Sequence, residues 1–107
     1  PKHHCPGCGD EQPYSARYPW HFCRSCVKSA TDRQGRALVF FNVSMSGGLT
    51  WRYADDDASG EKDCIAVGCV IKGRPVLVTE ARFGGVVAQP ASREMLRDAL
   101  KKRTNLS

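Results

Sequence analysis

A chain of 107 residues with 41% hydrophobic and 25% charged residues has the composition of one compact globular domain, which excludes a disordered chain. No window reaches the ~18 to 20 apolar residues of a membrane-spanning helix, and no secretory signal opens the chain, which begins on Pro1 as a trimmed start or a piece of a longer protein would. The formal charge of +5 is uneven: residues 1–36 carry six Lys/Arg against three acids, residues 90–107 five against two, and the segment between them five against six. Four thiolates around a divalent cation would lower the total to +3, which weakens any case for a polyanionic partner built on net charge alone.

Residues 1–36 are rich in Cys, Pro, Gly and polar side chains and show little periodicity. They hold two Cys-x-x-Cys pairs, Cys5/Cys8 in "CPGCG" and Cys23/Cys26 in "CRSC". A tight turn with two residues between cysteines presents both sulfurs to one ion, so the four are read as ligands of a single tetrahedral metal, one Zn²⁺ per chain. Reduced thiols of this kind point to an intracellular, reducing compartment rather than a disulfide framework. Four thiolates close the coordination shell and leave no position for a reacting water, so the site is expected to be structural. His3, His4 and His21 lie nearby in sequence and are expected to be exposed or to support the ligands rather than replace one.

The "CPGCG" run resembles the knuckle of zinc ribbons, treble-clef fingers and rubredoxins. The second pair departs from the ribbon pattern at Val27, and "CRSCVKSATDRQG" (23–35) reads instead as a short helix opening at the ligands and stopped by Gly35. That is similar to treble-clef fingers, whose last two cysteines sit at a helix N-terminus. The resemblance covers only residues 3–35 and implies a metal and a local fold. An iron site of the rubredoxin kind would have longer spacing and two glycine-bearing knuckles, and zinc is the expected ion.

From residue 37 the pattern changes to strands. In "ALVFFNVSM" (37–45), Val39, Phe41, Val43 and Met45 alternate onto one face, and after Ser46-Gly47-Gly48 the segment "LTWRY" (49–53) completes a hairpin. "ADDDASGEKD" (54–63) reads as a solvated acidic loop without the full ligand pattern of a calcium loop. "CIAVGCVI" (64–71) reads as a buried strand, with Cys64 and Cys69 as inert thiols on opposite faces. A turn at 72–74 and a return strand (76–83) follow, then Gly84-Gly85 and a last strand (86–89). Pro90 suits the first turn of a helix whose apolar face is Met95, Leu96, Ala99 and Leu100. The expected fold is α+β: a zinc-bound unit over 1–36, then, over 37–107, a mostly antiparallel sheet of about five strands covered by a C-terminal helix, the two packed as one compact unit.

Three surfaces are candidates for function. The loop 12–22 carries Tyr14, Arg17, Tyr18, Trp20 and Phe22; Trp20 and Phe22 are expected to cover the metal site, and Tyr14, Arg17 and Tyr18, with Arg24 beyond the loop, to face a partner. On the C-terminal helix Arg93, Arg97 and Lys101 would form a basic stripe, flanked by Glu94 and Asp98. Glu80 and Arg82 share one face of the 76–83 strand. The reading that follows is a non-enzymatic, zinc-stabilised module that binds protein or nucleic acid. The alternatives are a small enzyme or accessory domain using a pocket near Glu80 and Arg82, and a structural domain of a larger assembly. No nucleophile elbow, phosphate-binding glycine loop or His-Glu-x-x-His run supports the enzyme.

Overall fold

The computed structural model describes residues 2–13, 15–18, 20–44, 47–81, 85–92, 96 and 104–107. Strands β1 (Lys2–His4) and β2 (Glu11–Pro13) pair antiparallel and bracket the first cysteine pair. Helix α1 (Arg24–Lys28) carries the second. Strands β3 (Leu38–Ser44), β4 (Gly47–Tyr53) and β5 (Asp56–Cys64) then form a three-stranded meander. Strands β6 (Ala66–Ile71), β7 (Arg74–Glu80) and β8 (Val86–Pro90) form a second meander, extended to four strands by β9 (Thr104–Asn105), which runs parallel to β6. The described residues are therefore mostly β, with nine strands in three sheets and one short helix, which corrects the expected α+β arrangement with a single sheet of about five strands.

One residue, Ile65, separates β5 from β6, although the two strands belong to different sheets. The chain thus turns a corner there and lets one continuous extended segment serve both layers. At the far end of the meander, Asn42 of β3 reaches the turn before β8: its side chain accepts from the Gly85 amide (2.6 Å) and donates to the Gly85 carbonyl (3.1 Å). Between these two ties lies one core, built from Leu38, Leu49, Trp51, Val67, Cys69, Ile71, Val76, Val78 and Ala88 and continuous with Cys5, Phe22, Cys26 and Ala30 of the cysteine segment.

Both expected hairpins form, but their strands begin inside the segments read as turns, β4 at Gly47 and β7 at Arg74. The β6–β7 turn has Lys72 at φ 52° and Gly73 at φ 77°, the pair of positive dihedrals that suits the twist of a two-residue hairpin. Within β3 the faces are exchanged, however. Leu38 and Phe40 turn inward opposite Tyr53 and Trp51, and Phe41 faces outward, 42% exposed. Two adjacent phenylalanines make the alternation readable either way, and the inward residues of β4 decide it.

Residues 54–63 are not a loop but mostly strand: β5 pairs with β4 through Tyr53↔Asp56, Trp51↔Glu61 and Leu49↔Cys64, with two register shifts. Main-chain pairing at a sheet edge needs no apolar alternation, and acidic side chains suit an edge open to water. Gly60, at φ 86°, sits where the bulged strand crosses the Trp51 carbonyl so closely that a Cβ would overlap the oxygen and lie 2.7 Å from the Arg52 Cα. The expected helix over 23–35 is shorter as well. It ends at Lys28, because Thr31 exchanges both backbone bonds with Val70 (2.9 Å each) and draws the chain into an extended bridge.

The C-terminal helix expected from Pro90 is replaced at its start. Pro90 ends β8 opposite Val76, and the next amide, Ala91, donates to the Pro75 carbonyl (3.1 Å). Leu96 is buried, with its amide on the Ser92 carbonyl (3.1 Å); residues 93–95 and 97–103, with Arg93, Arg97 and Lys101, lie outside the described residues.

Asp32 fixes the cysteine segment to the sheet. It is 8% exposed; Oδ1 accepts from the Gln34 and Arg36 amides (2.8 and 3.0 Å), and Oδ2 accepts from the Tyr53 hydroxyl (3.0 Å). The Arg36 guanidinium lies 3.8 Å from the Tyr53 ring centre and bonds Asp55 through two nitrogens (3.0 and 3.1 Å). Burial pushes the Asp32 carboxyl up, but the Arg36 and Gln34 amides, the Tyr53 hydroxyl and the Arg36 charge outweigh it and hold the pKa below the ordinary value.

Two outcomes follow from these contacts. Gly60→Ala should cost at least about 3 kcal/mol in denaturant unfolding, whereas Gly35→Ala, also at positive φ but with open space around it, should cost only about 1–2 kcal/mol. Asp32→Asn should cost about 1–3 kcal/mol at neutral pH. Because the folded carboxyl titrates below its unfolded value, its contribution is present above about pH 4 and lost as pH falls through the folded pKa, so the variant should lose less stability than the parent on acidification.

Candidate metal centre

The β1–β2 pair sets the first two ligands. The Cys5 amide donates to the Asp10 carbonyl (2.8 Å) and the Gly9 amide to the Cys5 carbonyl (2.9 Å), closing a turn that puts Cys5 and Cys8 on one side. Gly9 takes φ 79° to make it. Gly7 serves differently: a Cβ there would meet Cys26 Sγ at 2.9 Å and the Phe22 ring at 3.1 Å, so the turn packs directly on the second pair. Cys23 caps α1, with its carbonyl accepting from the Val27 amide (3.0 Å), and Cys26 lies one turn inside. The Phe22 amide donates to the Ala88 carbonyl of β8 (2.9 Å), which anchors this pair to the four-stranded sheet.

These elements bring together four sulfurs, all within 4.8 Å of one another. Cys5 and Cys26 Sγ are 3.7 Å apart, and so are Cys8 and Cys23 Sγ. Sulfurs at the corners of a tetrahedron with metal–sulfur bonds of ~2.3 Å lie ~3.8 Å apart, whereas a disulfide requires ~2.05 Å. All six cysteines are free thiols. The Gly7 and Cys23 amides point at Cys5 Sγ (3.4 and 3.2 Å). Burial raises the Cys5 thiol, but these amides, that of Cys8 and the Cys26 thiol outweigh it and bring the pKa down to about 6. Burial and the other three thiols push Cys26 well above the ordinary thiol range. For Cys8, the Asp10 amide, and more weakly the Cys26 thiol, favour the thiolate, but desolvation and the neighbouring Cys23 and Cys5 thiols together outweigh them and raise the pKa. Crowded thiols that resist losing a second proton are what a dication bound among them relieves.

None of the three histidines belongs to this cluster. His4 is exposed, and His21 uses Nδ1 against the Tyr18 carbonyl (2.7 Å) while its own carbonyl accepts from the Gln12 side chain (2.6 Å). Around the cluster, Phe22 is buried as expected, but Trp20 is not: its side chain is 69% exposed. Arg17 and Arg24 are exposed and Tyr18 is partly buried; Tyr14 lies outside the described residues. Glu80 is exposed at the end of β7, its backbone paired to Val86, while Arg82 lies outside the described residues. Cys64 and Cys69 occupy different strands of different sheets; Cys64 donates to the Leu49 carbonyl (3.3 Å), and burial pushes the Cys69 thiol up to about 12.

Comparison with known proteins finds no matching family model, no matching curated protein and no matching solved structure. Among the described residues no helix is long and apolar enough to cross a membrane.

Thiol chemistry gives a direct check. Cys69 should stay unmodified by a thiol reagent at pH 7 while the fold is intact, because a thiol with a pKa near 12 and no exposed surface offers almost no thiolate. If the cluster holds a metal, chelation should make its four thiols accessible to the reagent, and Cys26→Ser should make the remaining three accessible without a chelator.

Proposed function

We propose that Cys5, Cys8, Cys23 and Cys26 hold one structural Zn²⁺ and that the protein is a non-enzymatic binding module whose metal-stapled face contacts an anionic partner, single-stranded nucleic acid first among them. The observation that carries this reading is the exposed Trp20 on a segment with no acid. Between Glu11 and Asp32 the chain carries Arg17, Arg24 and Lys28, all exposed, and no Asp or Glu. An exposed indole among cations is the combination that stacks on a base while the flanking charges meet phosphates. The complete thiolate set supports a structural ion, since it leaves no ligand position for a reacting water. Zinc is favoured over iron by the short spacing of the pairs and by the helix at the second one.

The chain contains two tryptophans, and the other, Trp51, is buried at 6% exposure, so a change in emission that is lost in Trp20→Ala reports on Trp20. Titration with oligo-dT or oligo-U should quench the Trp20 emission, and Trp20→Ala should weaken binding by about 1–3 kcal/mol. The affinity should fall steeply between 50 and 200 mM salt, with a log–log slope of about −0.7 per phosphate contacted, and Arg17→Ala or Arg24→Ala should each flatten it. Affinity that ignores salt would point to a protein partner. Metal analysis should return one zinc per chain, and iron in its place would overturn the assignment of the ion.

A further inference from the structure

We infer that the outer edge of the cysteine cluster is a site of oxidation by hydrogen peroxide, with Cys8 as the sulfur oxidised first and Cys23 as the sulfur that closes a Cys8–Cys23 disulfide. The inference rests on the metal proposed above for Cys5, Cys8, Cys23 and Cys26. The four sulfurs divide by exposure. Cys8 is exposed and Cys23 partly buried, whereas Cys5 and Cys26 are 3% and 2% exposed and belong to the core. Each Cys-x-x-Cys pair therefore joins one accessible residue to one buried residue, and the two accessible ones come from different pairs. They are neighbours across the cluster, with Cys8 and Cys23 Sγ 3.7 Å apart, while Cys5 and Cys26 Sγ stand at the same distance inside the core.

Thiols that coordinate a dication are deprotonated outright, so the order of reaction among the four follows access. Peroxide meets Cys8 first. The Cys8 sulfur attacks one peroxide oxygen: the S–O bond forms, the O–O bond breaks, and the departing hydroxide takes a proton to become water. The Cys23 sulfur then attacks Cys8 Sγ, forming the S–S bond and expelling the sulfenic oxygen as hydroxide, which becomes the second water. The two sulfurs lose two electrons and the peroxide gains them. The buried pair is held back from the second step. Cys5 Sγ accepts from the Gly7 and Cys23 amides (3.4 and 3.2 Å), and Cys26 Sγ packs where a Cβ on Gly7 would meet it at 2.9 Å. Two remaining thiolates bind a dication less tightly than four, so the bridge releases the metal. The same bridge closes the loop 9–22, which carries Arg17 and Trp20, and keeps it tied at both ends without the ion; bridges within the pairs would leave it open.

The test uses the full chain, analysed for bound zinc before any oxidant is added. Hydrogen peroxide is then titrated to about one equivalent per chain, with released zinc followed by a chromophoric chelator and the products digested with trypsin without reductant. Trypsin separates the sulfurs: Cys5 and Cys8 fall in 3–17, Cys23 in 18–24 and Cys26 in 25–28. The expected product is 3–17 joined to 18–24, with fragmentation placing the bridge at Cys8. Cys5 and Cys26 should remain open to alkylation after unfolding, and zinc should appear in step with the bridge. A first bridge that includes Cys5 or Cys26, oxidation of Cys8 without a bridge, or zinc and all four thiols retained at about a tenfold excess of peroxide would overturn this inference and leave the metal reading standing. A chain that carries no metal before oxidation would overturn both.

Discussion

The constraint on which the N-terminal third depends is the repulsion among four sulfurs held within 4.8 Å. Thiolates at that spacing repel one another, and a cation bound among them, as proposed, would offset that repulsion. The consequences run outward through packing. Cys5 and Cys26 belong to the same apolar cluster as Val67 and Val78, and Phe22 is clamped between Gly7 and β8. Losing the ion would therefore loosen the edge of the sheet core as well as the knuckle, and in the proposed reading it would also release the segment that displays Trp20.

Asp32 and Tyr53 form the second support, independent of the cysteines. A carboxylate that caps two amides of its own turn and accepts a hydroxyl from β4 makes the junction between the cysteine segment and the meander a set of charge-assisted bonds rather than an apolar contact. Thr31 adds two backbone bonds to β6, and the Arg33 amide reaches the Leu106 carbonyl (2.7 Å). Residues 31–36 thus bond to strands of both larger sheets and to the end of the chain.

What could be read from the sequence was whatever depended on neighbours a few residues apart. The cysteine spacing, the positive-φ turn at Lys72-Gly73 and the apolar run of β6 are of this kind. Features set by distant strands were not readable. The acidic stretch 56–64 pairs through its main chain at an edge, where side-chain character carries little information, and only Gly60 marks the bulge. The inward face of β3 depends on Trp51 and Tyr53, and Phe40 next to Phe41 leaves the choice to them. Trp20 and Phe22 are both expected over the metal site, yet only Phe22 fills the space beside Gly7. The Asp32 turn did carry a local signal, an Asp two residues before Gln34 and three before Gly35, the arrangement in which a carboxylate caps its own turn.

From β3 to β8 every strand but one hydrogen-bonds to the strand that follows it, and at the exception, between β5 and β6, the chain runs on through the Ile65 corner. Such a path is assembled from short loop closures, each hairpin giving the next strand an edge to add to, so chain entropy is lost in small steps. Contacts that span long stretches of chain include the parallel pairing of β9 with β6, the Asn42–Gly85 tie, the Thr31–Val70 and Arg33–Leu106 bonds, and the Phe22–Ala88 bond that seats the cysteine segment. The kinetic order this implies is two meanders that zip first and are then sealed by the docking of the cysteine segment and the chain's end, so that the proposed ion would govern how slowly the native state comes apart more than how fast it forms.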